Sequence, residues 1–169
     1  MEQKIENKVA NSSLVSVDLK DYYAQGKRVS YDLKQNLFQD IVLKEKEYRG
    51  HIKGYDWSQF KDCYVAIHCS VDAIIPSWAY LLLTLAIQPF AKKVVHGSIS
   101  DLEVLIFEEI IDGIDFSVFQ DQRVIIKGCS DVYIPNQAYV KFVSKLQPLA
   151  KSIMFGEACS TVPLYKQKK

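Results

Sequence analysis

Three cysteines in this chain are each followed directly by serine: Cys69-Ser70, Cys129-Ser130 and Cys159-Ser160. Thiolates select soft metals such as zinc, copper(I) or the irons of an iron–sulfur cluster, and an imidazole or carboxylate can complete the shell. His96, Glu157 and Asp72 are the candidates for that role. Cys69, Cys129, Cys159, His96, Glu157 and Asp72 are thus the expected metal set, with zinc, iron or an iron–sulfur cluster as cofactor. There is no C-x-x-C pair, so any such site must be assembled from separate strand ends. The same residues allow three other readings. A cysteine before a helix N-terminus sits in a positive field and can serve as a nucleophile. Ser70, Ser130 and Ser160 with free N–H groups could hold an anion, although serine is also a common helix cap. Each cysteine could also simply pack under its loop, and Cys63, which opens a strand, sits at the opposite edge from the others.

The elements that would position these groups alternate between short apolar strands and amphipathic helices. Residues 63–68, 93–97, 123–127 and 152–155 read as strands. Pro76 and Pro135 open helices reaching about Phe90 and Ala150, proline being suited to the first helical position. The apolar run Ala79–Ile87 is too short to span a bilayer and reads as a buried helix. Ser98 or Ser100 caps a further helix that Gly113 closes. Upstream, residues 14–19 and 28–33 alternate and read as an antiparallel strand pair around the Tyr23–Lys27 turn. Phe38, Ile41, Glu45, Tyr48 and Ile52 then fall on one helical face, with His51 on its charged side, and Asp56–Phe60 is a short helical turn.

Part of this pattern occurs twice. Ile75-Pro76-Ser77-Trp78-Ala79-Tyr80 answers Ile134-Pro135-Asn136-Gln137-Ala138-Tyr139, Gln88-Pro89 answers Gln147-Pro148, and Gly97 answers Gly156. With a one-residue register shift, Cys69-Ser70 answers Cys129-Ser130. Strand–helix–strand units of this kind cross over right-handedly into parallel sheets. Open α/β sheets bind ligands at the carboxyl ends of their strands, where the cysteines are expected to converge. The fold expected is a single three-layer α/β domain with about four parallel strands, an internally duplicated βαβ unit and an N-terminal antiparallel strand pair.

Asp56-Trp57-Ser58, Cys69-Ser70 through Asp72-Ala73-Ile74-Ile75-Pro76 and Trp78-Ala79-Tyr80, Lys127-Gly128-Cys129-Ser130, and Gly156-Glu157-Ala158-Cys159-Ser160 to Pro163-Leu164-Tyr165 carry a resemblance across essentially the whole chain. They resemble a bacterial family of the Bacteroidota catalogued as domain of unknown function 2480. The resemblance implies a cytoplasmic protein and, as partners, iron–sulfur assembly proteins. It implies no activity and no residue roles.

Composition narrows the class. Of 169 residues, 49% are hydrophobic, enough for a substantial core, and the formal net charge is only +1, which argues against a nucleic-acid footprint. The polar N-terminus lacks the apolar core of a signal peptide. The expected setting is the cytoplasm, where the thiols stay reduced. The basic run Lys166-Gln167-Lys168-Lys169 reads as a solvated tail.

Overall fold

The computed structural model describes residues 14–128, 131–157 and 160–168. Among them are seven strands and four α-helices in a mixed α/β arrangement. The strands are β1 (Leu14–Val17), β2 (Arg28–Asp32), β3 (Tyr64–His68), β4 (Lys93–His96), β5 (Arg123–Ile126), β6 (Ser152–Glu157) and β7 (Ser160–Lys166). The helices are α1 (Glu45–Gly54), α2 (Ser77–Ile87), α3 (Ile99–Asp112) and α4 (Asn136–Leu146). Two compact units result. One joins the chain up to Tyr23 with Phe107 onward, and the other is Ala24–Ile106.

In the Ala24–Ile106 unit, β2, β3 and β4 form a three-stranded sheet in that order, parallel throughout. Val65 and Ile67 alternate inward from β3 and meet Tyr48 of α1, Leu83 and Ile87 of α2, and Phe60 of a 3-10 turn. Tyr48 is buried and its hydroxyl donates to the Ala79 carbonyl at 2.9 Å, tying α1 to α2. Arg28 forks onto the buried Glu103 carboxylate and donates its remaining nitrogen to the Ala24 and Gly26 carbonyls, which fixes the first turns of α3. Losing one partner of so enclosed a pair strands the other charge and costs about 3–5 kcal/mol.

In the other unit, the order is β1–β5–β6–β7. The first three strands are parallel and β7 closes the row antiparallel to β6. Its core gathers Val124 and Ile126 from β5, Phe142 and Leu146 from α4, and Phe107 and Ile111 from the second half of α3.

The two βαβ units expected from sequence, β3–α2–β4 and β5–α4–β6, are both present and parallel. They match without any register shift. A constant offset of 59 residues relates Pro76 to Pro135, Tyr80 to Tyr139, Leu83 to Phe142 and Gly97 to Gly156. It extends upstream to Asp56-Trp57-Ser58-Gln59-Phe60 and Asp115-Phe116-Ser117-Val118-Phe119, two 3-10 turns each capped by its aspartate. Asp62 and Asp121, which follow them, both adopt φ near +60° and donate their N–H groups to the matched carbonyls of Phe90 and Leu149. At this offset Cys69 matches Gly128 and Cys129 matches Ser70, so the Cys-Ser pairs are not equivalent positions.

Four expectations change. The parallel strands expected in one sheet are divided between two, because each repeat closes around its own hydrophobic cluster. The N-terminal strands form where expected but do not pair with each other: β1 lies parallel to β5 and β2 parallel to β3. Each runs into a 3-10 turn capped by its own aspartate, Asp18 or Asp32, so the chain leaves the strand end rather than doubling back. Helix α1 begins only at Glu45, because Phe38–Val42 is a tight reversal in which Gln39 and Asp40 take positive φ. Finally, β7 forms where no strand was expected, in the C-terminal extension 157–169, and takes in Lys166, the first residue of the run expected to be a solvated tail.

Equivalent core positions should respond alike. Leu83→Ala and Phe142→Ala each remove a fully buried side chain, and should lower unfolding free energy by about 2–5 and 3–5 kcal/mol respectively. Denaturant titration measures the loss. A loss under 1 kcal/mol at either position would contradict the core assignment.

Candidate functional site

Because β2, β3 and β4 are parallel, their carboxyl ends share one edge. Asp32 is in register with His68, and Ile67 with His96. Cys69 and Ser70 leave β3 there, half-buried and exposed respectively. The Asp32 carboxylate holds this exit in place: its Oδ1 accepts from the Lys34 N–H at 2.9 Å and from the Ser70 N–H at 3.0 Å. Burial works to raise its pKa, but the Ser70 hydroxyl, those two N–H groups and the nearby His68 outweigh it and hold the carboxyl below its ordinary range.

Tyr80, in the first turn of α2, stands over the same edge. Its ring meets His96 edge-on at 4.6 Å between centroids. Burial raises its pKa, with Cys69 and Asp32 adding to the shift, so the hydroxyl stays a donor at neutral pH. Gly97 follows His96 with φ near +138°, and a Cβ there would fall 2.7 Å from Asp101 Oδ2. That carboxylate accepts from the Ser98 N–H and hydroxyl, both at 2.7 Å, while Ser98 Oγ accepts from the Asp101 N–H, a closed cap for α3. The Ser98 bonds lower the Asp101 pKa, helped by His96. One edge thus collects a thiol, a carboxylate, two imidazoles and a phenol.

The matched edge of the other unit is differently furnished. Lys127 replaces His68, Gly128 replaces Cys69 and Phe155 replaces His96, while Tyr139 keeps the place of Tyr80. Tyr139 meets Phe155 edge-on at 5.7 Å, the same contact as Tyr80 with His96. A Cβ on Gly128 would lie 2.5 Å from the Phe155 ring, so a larger residue here requires the ring to shift. The space is a cleft of about 410 Å³ bordered by Gly128, Val132, Tyr133, Asn136, Tyr139 and Phe155.

The residues expected to bind metal divide between the two units. Cys69, Asp72 and His96 belong to the Ala24–Ile106 unit and Glu157 to the other. Cys69 and His96 share an edge, Asp72 is exposed in the loop beyond Ser70, and Glu157 ends β6 opposite Ser160. Cys129 and Cys159 lie outside the described residues. Among the described residues no three His, Cys, Asp or Glu side chains are grouped to hold a metal ion. Cys63 is buried at the amino end of β3, as its position predicts, and its thiol donates to the Lys61 carbonyl at 3.5 Å.

Sequence reasoning missed a second polar group. His51, expected on a charged helix face, is half-buried, and its Nε2 lies 2.9 Å from the Tyr31 hydroxyl. That hydroxyl donates to Asn36 Oδ1 at 3.0 Å, so Nε2 supplies the hydrogen to Tyr31. Burial lowers the His51 pKa and raises that of Tyr31, which keeps both neutral at pH 7. Tyr55 and Trp57 enclose the imidazole, with centroids at 4.8 and 5.9 Å. The local signal was the His51–Tyr55 spacing of four, one helical turn.

A family model described as "Protein of unknown function (DUF2480)" matches residues 3–167. The α/β architecture and the edge just described are therefore those of a member of that class of uncharacterised proteins. The chain belongs to the DUF2480 family. No curated protein and no solved structure matches it. No helix among the described residues is long and apolar enough to cross a membrane.

Asp32→Ala removes the carboxylate that fixes the Cys69 exit and should cost about 1 kcal/mol at pH 7, the usual value of such a cap. The folded pKa lies below the unfolded one, so this contribution is present above about pH 4 and is lost as pH falls through the folded pKa. Urea titrations of wild type and variant should therefore converge in acid. A gap that stays constant down to pH 2 would exclude the ionised carboxylate as its source.

Proposed function

We propose that this chain is a thiol-dependent ligand-binding protein whose working edge is the carboxyl end of β2–β3–β4, with Cys69 as the group that engages the ligand. The observation that carries this reading is the divergence of the repeats. One copy holds Cys69, His68 and His96 where the other holds Gly128, Lys127 and Phe155 on the same backbone frame. A core needs only shape at these positions, whereas titratable side chains at a half-exposed strand end suit a ligand. Asp32 orders the loop, the Tyr80 hydroxyl stays protonated, and His68 and His96 end β3 and β4 at the same edge as a thiol that is in no disulfide. A reducing cytoplasm is the setting in which such a thiol stays available.

A second reading is thiolate metal binding: zinc, iron or an iron–sulfur cluster, with iron–sulfur assembly proteins as partners. The observation favouring it is that Cys129 and Cys159 follow the ends of β5 and β6, which are neighbours in one sheet. Glu157 is the carboxylate nearest to Cys159 along the chain.

Anaerobic purification of the full chain followed by metal analysis, an absorption spectrum and a challenge with glutathione disulfide separates the two. The thiol reading predicts no stoichiometric metal. It also predicts a mixed disulfide formed when the Cys69 thiolate displaces one glutathione thiolate, present in Cys63→Ser and absent in Cys69→Ser. One equivalent of metal with thiolate absorption, kept in Cys69→Ser and lost in the Cys129→Ser/Cys159→Ser pair, would overturn it in favour of the second reading.

A further inference from the structure

Three cations converge in the unit that contains β5, β6 and β7. Arg123 opens β5, Lys151 leads into β6 and Lys166 ends β7. All three are exposed. None of their side chains is ion-paired or hydrogen-bonded to a described residue.

Strand register brings them together. Arg123 lies opposite Ser152, and Ser152 opposite Lys166, so two cations flank one small hydroxyl side chain on a single row across three strands. Adjacent strands are about 4.8 Å apart, which leaves the outer two backbones about 10 Å apart and lets both long side chains reach one ligand. The three cations border a cleft of about 320 Å³ whose apolar wall is Met154, Pro163 and Tyr165. No acidic residue borders it.

The matched place in the other repeat has a different balance of charge. At the offset of 59 residues Arg123 matches Tyr64 and Lys151 matches Lys92. Lys92 Nζ donates to the Gln25 carbonyl at 2.8 Å and lies 5.5 Å from the centre of the Tyr64 ring. Arg28, also over that ring, is held by the Glu103 carboxylate. Lys166 arrives on β7, which follows only the second repeat. One copy thus satisfies its cations within its own unit, and the other turns three of them toward a shared space.

We infer that this cleft binds a small phosphate ester, with the phosphate among Arg123, Lys151 and Lys166 and the organic body against Met154, Pro163 and Tyr165. A phosphate monoester carries about −1.5 to −2 charges at neutral pH and three acceptor oxygens, which suits three separate cationic donors. A carboxylate brings one charge. Like charges gathered without a counter-charge repel, and a bound dianion relieves that repulsion. The cleft has the size of a small-molecule site, and its division into a cationic and an apolar side fits an amphipathic ligand. Three cations on a chain of formal net charge +1 are too small a footprint for a nucleic acid. The cleft lies in the unit without Cys69, so the inference stands apart from the thiol reading.

The probe is phenyl phosphate, titrated into the full-length ¹⁵N-labelled chain at pH 7 and low ionic strength. Amide shifts are expected at Arg123, Lys151–Met154 and Tyr165–Lys166, and affinity should fall as sodium chloride is added. Benzoate, phenol and inorganic phosphate should each bind about tenfold or more weakly, since each lacks part of the match. The Arg123→Gln/Lys151→Gln/Lys166→Gln variant should bind phenyl phosphate about tenfold or more weakly, with folding unchanged by circular dichroism. Lys151→Gln alone, which lies outside any strand, should weaken it about threefold. Lys46→Gln/Lys53→Gln, on exposed positions of α1, should leave it unchanged. The inference is overturned by no shift at millimolar phenyl phosphate, or by unchanged affinity in the cleft variants. Equal binding of phenol would make the cleft merely apolar, and equal binding of benzoate or inorganic phosphate would remove the claim on a phosphate ester.

Discussion

The Asp32 carboxylate decides where the chain leaves the β2–β3–β4 sheet. It ends β2, caps the 3-10 turn that follows and accepts the Ser70 N–H, so one side chain couples two strand ends. Parallel pairing already forces the carboxyl ends of neighbouring strands to one side, and this coupling converts that proximity into a defined position for Cys69. Tyr80 and His96 depend on the same frame, the first through α2 and the second through the register of β4 with β3. The exposed groups that give the edge its chemistry rest on a core with none of them: Val65 and Ile67 beneath, Leu83 and Ile87 behind.

Duplication supplied the frame, and substitution gave one copy its chemistry. The conserved elements of the offset are physical necessities: a proline to start each helix, an aspartate to cap each 3-10 turn, and a positive-φ aspartate to reverse the chain into each strand. The divergent positions lie at strand ends, where the frame imposes little. Phe155 and Gly128 are a packed pair, since the ring fills the space a side chain at 128 would need. His96 and Cys69 occupy the same two places as polar groups. One edge carries an aromatic ring beside a cleft, and the other carries a thiol and an imidazole.

Much of this was legible in the sequence because it is local. Short β-branched runs separated by proline-started helices announce parallel βαβ units, and the Pro-to-Gly spacings announced their repetition. The division into two sheets was not legible, since strand partners are set by tertiary packing rather than by neighbouring residues. The motif Ser16-Val17-Asp18-Leu19-Lys20 recurs as Ser30-Tyr31-Asp32-Leu33-Lys34, and that pair shows that β1 and β2 play the same part in different units. Shared Cys-Ser dipeptides drew the repeat one residue out of register at the one place where the copies differ in kind. Strand β7 was hidden by Pro163, which ordinarily argues against a strand but is tolerated at this outer row beside a register shift. The outward leucines of α2 look like core in sequence, because composition does not say which face of an apolar helix is buried.

The central claim is that the working thiol lies at the end of β3. Site-resolved alkylation of the native full chain by limiting iodoacetamide at pH 7, read by peptide mass spectrometry, tests it directly. Cys69 should be modified first, and at least about tenfold faster than Cys63, whose thiol is buried and hydrogen-bonded. An inert Cys69, with the reagent consumed at Cys129 or Cys159, would contradict the account.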